Sequence, residues 1–183
     1  MATGKDILKY DGKRLHWNHP GDGNPAAKYK ATSGFTRYQI AAKQCTKNAG
    51  PIPEGTYSFR LAIDPKKYAR DDGRGQCNLR PSQKIQQIPR GARAGSCERY
   101  WSNWGWNRVR IEAADTKTRK ACSPRRGGFY LHDSTKGYTH GCIEVEQIFF
   151  NRIVKYAKKA IGKKLYLVVD YAFTSTYGST KKP

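Results

Sequence analysis

Residues 129–145 of this 183-residue chain read FYLHDSTKGYTHGCIEV. The apolar run Phe129–His132 follows two glycines and predicts a strand that ends at a histidine. Apolar residues then recur at helical spacing from Ile143 up to Gly162, a typical stop signal, so a helix is predicted directly after Cys142. The stretch therefore predicts a strand, a loop and a helix, with a histidine and a cysteine at the two ends of the loop.

A cysteine and a histidine at the two ends of one loop are the residue types that a cysteine nucleophile and its general base require. Backbone N–H groups at a helix N-terminus favour a thiolate and can also hold an oxyanion. The imidazole of His132 could take the proton of the Cys142 thiol and later protonate a leaving amine, and Gly141 would let backbone approach a bound carbonyl. The alternative is structural: a buried thiol and a strand-end histidine satisfied by the backbone.

The segment THGCI (139–143), with a histidine upstream, resembles the Ser/Thr-His-Gly-Cys signature of the L,D-transpeptidase superfamily, the cysteine enzymes that remodel peptidoglycan. Its short spacing, the opening hairpin LKYDGKRLHW (8–17) and the segment NAGPIPEGTY (48–57) are more similar to the type VI secretion L,D-transpeptidase effectors, toxins delivered into the periplasm of rival bacteria. The resemblance implies an L,D-transpeptidase-like β-sandwich with an inserted basic loop or cap.

The same resemblance implies a role for each residue of the segment. Cys142 would be the nucleophile and His132 its general base. The backbone carbonyl of Asp133 would orient the imidazole, and the amides of Gly141 and Cys142 would form the oxyanion hole. The superfamily usually has arginine where this chain has Glu144, so a contact to a substrate carboxylate is either missing or supplied by the basic insertion. Four further residues would line the site and contact substrate: Tyr130, Tyr138, Thr139 and His140.

The rest of the chain predicts one mainly β domain over residues 1–183 with one or two helices. Asp11-Gly12 between two alternating runs predicts a hairpin with a type I′ turn. Residues 64–105 show no lasting period and predict a long loop or cap inserted in the domain. Residues 178–183 predict a frayed tail. Period-2 patterns predict strands at 56–63 and 108–113, and a short candidate strand at 35–40 and a last core strand at 165–169 are also predicted.

The charge of the chain favours an anionic partner. Thirty-five Lys and Arg stand against 14 Asp and Glu, which leaves +21 at pH 7. Nucleic acid, an acidic membrane surface and the bacterial cell wall are all candidates. The segment 64–127 is the most basic, with 16 basic and 6 acidic residues, and is predicted to face the cell wall.

The five cysteines add a constraint on compartment. No C-x-x-C pair occurs, which argues against a zinc ribbon or a thioredoxin-like motif. If one thiol is reactive, the other four can close two disulfides in three ways, and Cys77 with Cys97 is one candidate pair. Two disulfides would place the protein outside the reducing cytosol, whereas five buried, reduced cysteines would fit a cytosolic protein.

The leading prediction is a cysteine L,D-transpeptidase or L,D-carboxypeptidase that acts on peptidoglycan tetrapeptide stems through a thioester, without a cofactor or metal. Expected partners are the stem peptides, a cognate immunity protein and the type VI secretion machinery. The expected location is the target-cell periplasm, with no signal peptide in MATGKDILKY (1–10) and no membrane span. The alternatives are a basic nucleic-acid-binding or nuclease toxin and a non-catalytic wall-binding module.

Overall fold

The structure, a computed structural model, describes residues 7–65 and 77–183. These residues form nine strands and three α-helices. The strands are β1 (Ile7–Tyr10), β2 (Arg14–Trp17), β3 (Ala27–Ser33), β4 (Gly55–Leu61), β5 (Gln86–Gln87), β6 (Asn107–Ala113), β7 (Phe129–His132), β8 (Ile143–Val145) and β9 (Lys163–Val169). The helices are α1 (Glu98–Trp101), α2 (Thr116–Arg119) and α3 (Gln147–Lys159).

Eight of these strands close into a mixed barrel in the order β4-β9-β1-β2-β3-β8-β7-β6. Strand β4 completes the ring because it pairs with β9 along its whole length and with β6 through Tyr57↔Ala113 and Ser58↔Glu112. The pairs β1–β9 and β7–β8 are parallel, and the others in the ring are antiparallel.

The predicted L,D-transpeptidase-like β-sandwich is therefore wrong, although the chain is mainly β with few helices. A sandwich needs two sheets with separate edges, whereas β4 pairs on both sides and leaves the ring without an edge. Closure satisfies backbone groups that an open edge would leave unpaired.

One hydrophobic cluster joins the barrel strands to α3. Leu8, Tyr10, Leu15 and Trp17 of the opening hairpin are fully buried, as the alternation along β1 and β2 predicts. Helix α3 contributes Phe149, Phe150, Ile153, Tyr156 and Ala157 to the same cluster. None of the helices in the described ranges has the length and apolar character needed to cross a bilayer.

The opening hairpin is confirmed, but its turn differs from the prediction. The Asp11 carboxylate accepts hydrogen bonds from the N–H groups of Lys13 (2.8 Å) and Arg14 (2.7 Å). Only Gly12, at φ +106°, has a positive φ among the turn residues, whereas a type I′ turn needs two.

Two other predicted elements are wrong. Residues 35–40 contain a 3-10 turn (Thr36–Tyr38) in place of a strand, and the strand at this point of the barrel is β3. Residues 178–183 are not a frayed tail, because Gly178 donates its N–H to Thr32 Oγ1 (2.9 Å) and Lys182 donates its N–H to the Thr135 carbonyl (3.2 Å).

Residues 77–105 of the insertion contain regular structure in place of the predicted long loop. They contain β5, which pairs with β6, and a small cluster of Ile88, Ala94, Cys97 and Trp101. Arg108 of β6 fastens them to the barrel by hydrogen bonds to Gln86 Oε1 (2.7 Å) and to the carbonyls of residues 79 and 80. Residues 66–76 of the insertion lie outside the described residues.

The cysteines form two disulfides, Cys45–Cys122 and Cys77–Cys97, and Cys142 is the free thiol. The prediction of two disulfides with one cysteine left over is confirmed, and it includes the candidate pair within the insertion.

Candidate active site

The parallel pairing of β7 and β8 brings the predicted nucleophile and base to one side of the sheet. His132 pairs with Glu144, and Cys142 stands two residues before Glu144 at the entry to β8. Because alternate residues of a strand share a face, all three side chains project to the same side.

The helix predicted directly after Cys142 is wrong at its start. Residues 143–145 form β8, held between β3 and β7, and α3 begins only at Gln147. Two β-branched residues in this triplet suit a strand, and pairing on both sides overrides the helical spacing. Cys142 therefore lacks the helix N-terminus that was expected to stabilise its thiolate.

Cys142 and His132 open onto a common cleft of about 370 Å³, here called the Cys142 cleft. Its lining residues are Tyr100, Asn103, Trp104, His132, Lys136, Tyr138, Thr139, His140 and Cys142. Five of these were predicted as site residues. The first three come from the end of the insertion, so the insertion supplies one wall of the cleft.

A buried hydrogen-bond relay holds the imidazole of His132. Ser134 Oγ lies 3.1 Å from His132 Nδ1 and donates its proton to Glu144 Oε2. A hydroxyl has one proton and a carboxylate only accepts, so Ser134 must accept from Nδ1–H. A neutral imidazole with its proton on Nδ1 satisfies this bond, and in that tautomer Nε2 keeps the lone pair that a general base needs.

Glu144 is fully buried and accepts four hydrogen bonds. The backbone N–H of Lys136 (3.0 Å) and the Ser134 hydroxyl reach Oε2, while the N–H of Gly137 (2.8 Å) and the Thr180 hydroxyl reach Oε1. Sequence reasoning noted Glu144 only as a departure from the superfamily pattern and missed Ser134. The available signal for Ser134 was its position two residues after the strand-end histidine. Glu144 comes close to His132 through the pairing of β7 with β8.

Asp133 has a structural role next to His132. Its carboxylate accepts from the N–H groups of Trp106 (2.6 Å) and Asn107 (2.8 Å) and from Asn107 Nδ2 (2.9 Å). These bonds tie the end of the insertion to the strand that carries His132. The group that contacts Nδ1 is the Ser134 hydroxyl, in place of the Asp133 carbonyl that the resemblance implied.

The electrostatics favour a neutral pair at neutral pH. Burial, followed by the positive charges of Lys136 and Arg108, lowers the pKa of His132 to about 3, against a backbone hydrogen bond with Trp104. Burial also raises the pKa of the Cys142 thiol, although a backbone hydrogen bond from Tyr130 and three nearby cations oppose the shift. Any attack by the thiol would therefore require transfer of its proton to a base such as the imidazole.

Thr139 holds the loop that carries Cys142 through three hydrogen bonds. Its hydroxyl donates to the Cys142 carbonyl (2.6 Å) and accepts from the N–H groups of Gly34 (3.0 Å) and Gly141 (3.1 Å). The Gly141 N–H, predicted to hold the oxyanion, is thus engaged with Thr139 in the free protein. At φ +128°, Gly141 has no room for a Cβ, which would lie 3.0 Å from the Phe129 ring.

Of the other residues predicted to contact substrate, His140 and Tyr138 line the Cys142 cleft and Tyr130 does not. His140 is exposed at the cleft, donates from Nδ1 to the Asn48 carbonyl (2.8 Å) and stacks on Phe35, whose ring also meets Tyr138 edge-on. Tyr130 does not line the cleft: it is buried and packs 4.9 Å from the ring of Trp104, behind the cleft wall.

No family model and no curated protein matches this chain. Among residues 7–65 and 77–183, no group of three or more His, Cys, Asp or Glu side chains is placed to hold a metal ion.

Proposed function

We propose that the protein is an L,D-transpeptidase or L,D-carboxypeptidase that acts on peptidoglycan tetrapeptide stems through a thioester acyl-enzyme. The observation that carries the proposal is the shared cleft of Cys142 and His132, in which the Ser134–Glu144 relay leaves Nε2 of the imidazole ready to accept a proton. The substrate class comes from the resemblance of the THGC motif and not from the geometry.

In the proposed reaction, Cys142 Sγ attacks the carbonyl carbon of the third stem residue while His132 Nε2 takes the thiol proton. The C–N bond to the terminal D-Ala then breaks, and the imidazolium gives its proton to the leaving amine. Water or an amine next attacks the thioester and loses a proton to His132, which returns it to the departing Sγ. The products are a tripeptide or a cross-linked stem, and the free enzyme is restored.

The backbone N–H groups of Cys142 and Gly141 are the proposed donors to the oxyanion. The Gly141 N–H now reaches Thr139 Oγ1 at 3.1 Å, so the developing oxyanion has to compete with that bond. A charged oxygen is a stronger acceptor than a hydroxyl, which favours the exchange as the tetrahedral intermediate forms.

The proposal extends to an antibacterial effector that works in the target-cell periplasm, with an immunity protein and the type VI secretion machinery as partners. The two disulfides favour an oxidising compartment. The opening hairpin and the short interval between His132 and Cys142 are similar to those effectors.

Mass analysis of treated muropeptides tests the activity directly. The wild type is expected to remove D-Ala from purified tetrapeptides and to show a transient protein mass that corresponds to the acyl-enzyme, and Cys142→Ala is expected to do neither. Unchanged tetrapeptide with a folded wild type, or undiminished turnover by the variant, would reject the proposal.

A basic nuclease or nucleic-acid-binding toxin is the second candidate, favoured by the +21 charge. It predicts DNA or RNA binding that weakens steeply with salt, and cleavage that survives Cys142→Ala. Transpeptidase chemistry predicts that the same substitution abolishes toxicity.

A further inference from the structure

A second cavity of about 410 Å³ lies beside the Cys142 cleft and shares Asn103 and Lys136 with it. We call it the Lys136 cavity. Its other lining residues include Arg90 and Ser102 of the insertion, Trp106 directly after it, and Lys182 of the C-terminal segment. The two cavities are therefore adjacent, with Asn103 and Lys136 at their common border.

The charges around the Lys136 cavity are predominantly positive. Arg90, Lys136 and Lys182 line it, and the one carboxylate in its lining, Asp133, is taken up by three amide donors. Arg90 already pairs with Glu98 at 3.0 Å. In the described part of the chain, the ion pairs formed by lysine and arginine involve Lys9, Arg90, Arg110 and Arg152, so neither Lys136 nor Lys182 has a carboxylate within 4.0 Å.

Of Lys136 and Lys182, Lys136 is the better placed to bind an anionic ligand. Its side chain is half-buried, with the ammonium 4.9 Å above the ring of Tyr138, and burial lowers the pKa of that ammonium. Its backbone N–H is fixed by Glu144, so the cation is carried on the same rigid loop as the Ser134 relay. The charge of Glu144 opposes that shift but lies beyond ion-pair distance, so the half-buried ammonium can still pair with an anionic ligand.

We propose that the Lys136 cavity is the subsite for a carboxylate of the stem peptide, with Lys136 as its main ligand. The inference rests on the proposed function and names the chemical group by which this site selects its substrate. The superfamily usually has arginine at the position of Glu144. In this chain Glu144 is buried and bonded to Ser134, so the positive charge for a substrate carboxylate comes from Lys136 on the neighbouring loop.

A tetrapeptide stem has a carboxylate at its C-terminus and others on its acidic residues. Three substrates separate these sources: the free tetrapeptide, its C-terminal amide, and a tetrapeptide whose internal carboxylates are amidated. The wild type is expected to lose about 10- to 100-fold in kcat/KM, mainly through KM, on the substrate that lacks the recognised carboxylate.

Lys136→Met tests the residue, with Lys136→Arg as the conservative variant and Lys158→Met, an exposed position on α3, as the matched loss of one lysine. Lys136→Met is expected to turn over the acid and the amide alike, whereas Lys136→Arg restores the preference and Lys158→Met retains it. Because each enzyme is compared on two substrates, the effect of Lys136 on the pKa of His132 cancels.

Equal preference by the wild type for all three substrates overturns the subsite, and so does an unchanged preference in Lys136→Met. If no substrate is turned over, the proposed function fails, and the subsite is then decided by binding. In that case, free tetrapeptide is titrated onto Cys142→Ala with and without Lys136→Met. An affinity that does not fall overturns the subsite, and a fall of 10-fold or more supports it.

Discussion

Replacing Glu144 with glutamine is the sharpest test of the relay. The change keeps the shape of the side chain but exchanges one acceptor oxygen for an NH₂ group. Each carboxylate oxygen accepts from one backbone N–H and one hydroxyl, so either orientation of the amide sets a backbone N–H against the NH₂ group. Hydroxyls can turn to accept from the amide, but the N–H groups of Lys136 and Gly137 cannot.

The energetic cost follows from that count. One buried N–H without an acceptor costs about 1–3 kcal/mol, and the remaining bonds lose the extra strength that a charged acceptor provides. The free energy of unfolding is therefore expected to fall by about 2–4 kcal/mol, which most domains of this size survive.

The catalytic cost depends on the Ser134 hydroxyl. With NH₂ in the place of Oε2, Ser134 accepts from the amide and turns its proton to His132 Nδ1, which moves the imidazole proton to Nε2 and disables the base. A lost general base lowers kcat by roughly 10²- to 10⁴-fold. KM is expected to stay within about threefold, because Glu144 is fully buried and does not line the cleft.

The assay is steady-state turnover of tetrapeptide, with ¹⁵N NMR of the imidazole of His132 to report the tautomer. Thr180→Val is the matched control, because it removes a hydroxyl from the other oxygen of Glu144 and leaves Ser134 in place. The control is expected to lose stability but little kcat. The relay is refuted if a folded Glu144→Gln protein carries the imidazole proton of His132 on Nε2 and still turns over tetrapeptide with wild-type kcat.

Three further outcomes are expected. Because the pKa of His132 is about 3 in the fold and 6.5 as a free group, the unfolded chain takes the proton first, so the free energy of unfolding falls by about 2 kcal/mol from pH 6.5 to pH 5 at this site; denaturant titrations should show this loss in the wild type and not in His132→Gln. Burial raises the pKa of Cys142, so alkylation by iodoacetamide is expected to be slow at pH 7 and to rise only above the range of an ordinary thiol; a midpoint below pH 8 would contradict this. Replacing both cysteines of Cys45–Cys122, which are 77 residues apart, is expected to cost about 4.5 kcal/mol by loop entropy, against about 3 kcal/mol for Cys77–Cys97, 20 residues apart; thermal melts check the order, and only the second change should raise KM, because it loosens the cleft wall.

The sequence by itself determined the residue types at the candidate site and several local elements of structure. His132 at a strand end and the free thiol of Cys142 could be singled out because their residue types and spacing are readable along the chain. The opening hairpin and β6 follow from period-2 alternation, and β7 follows from a short apolar run after two glycines. The leftover cysteine followed from an odd count. None of these inferences needs to know which strands become neighbours.

Which strands and side chains become neighbours was decided only by the tertiary structure. The triplet 143–145 is a strand because β3 and β7 flank it, although its spacing continues that of a helix. The ring closes because β4 finds β6, a pairing between residues more than 50 apart. Glu144 meets Ser134 and Thr180 for the same reason. Periodicity states which face of a segment is buried, but hydrogen-bond partners are chosen by the whole barrel, and the relay behind His132 exists only once the barrel is closed.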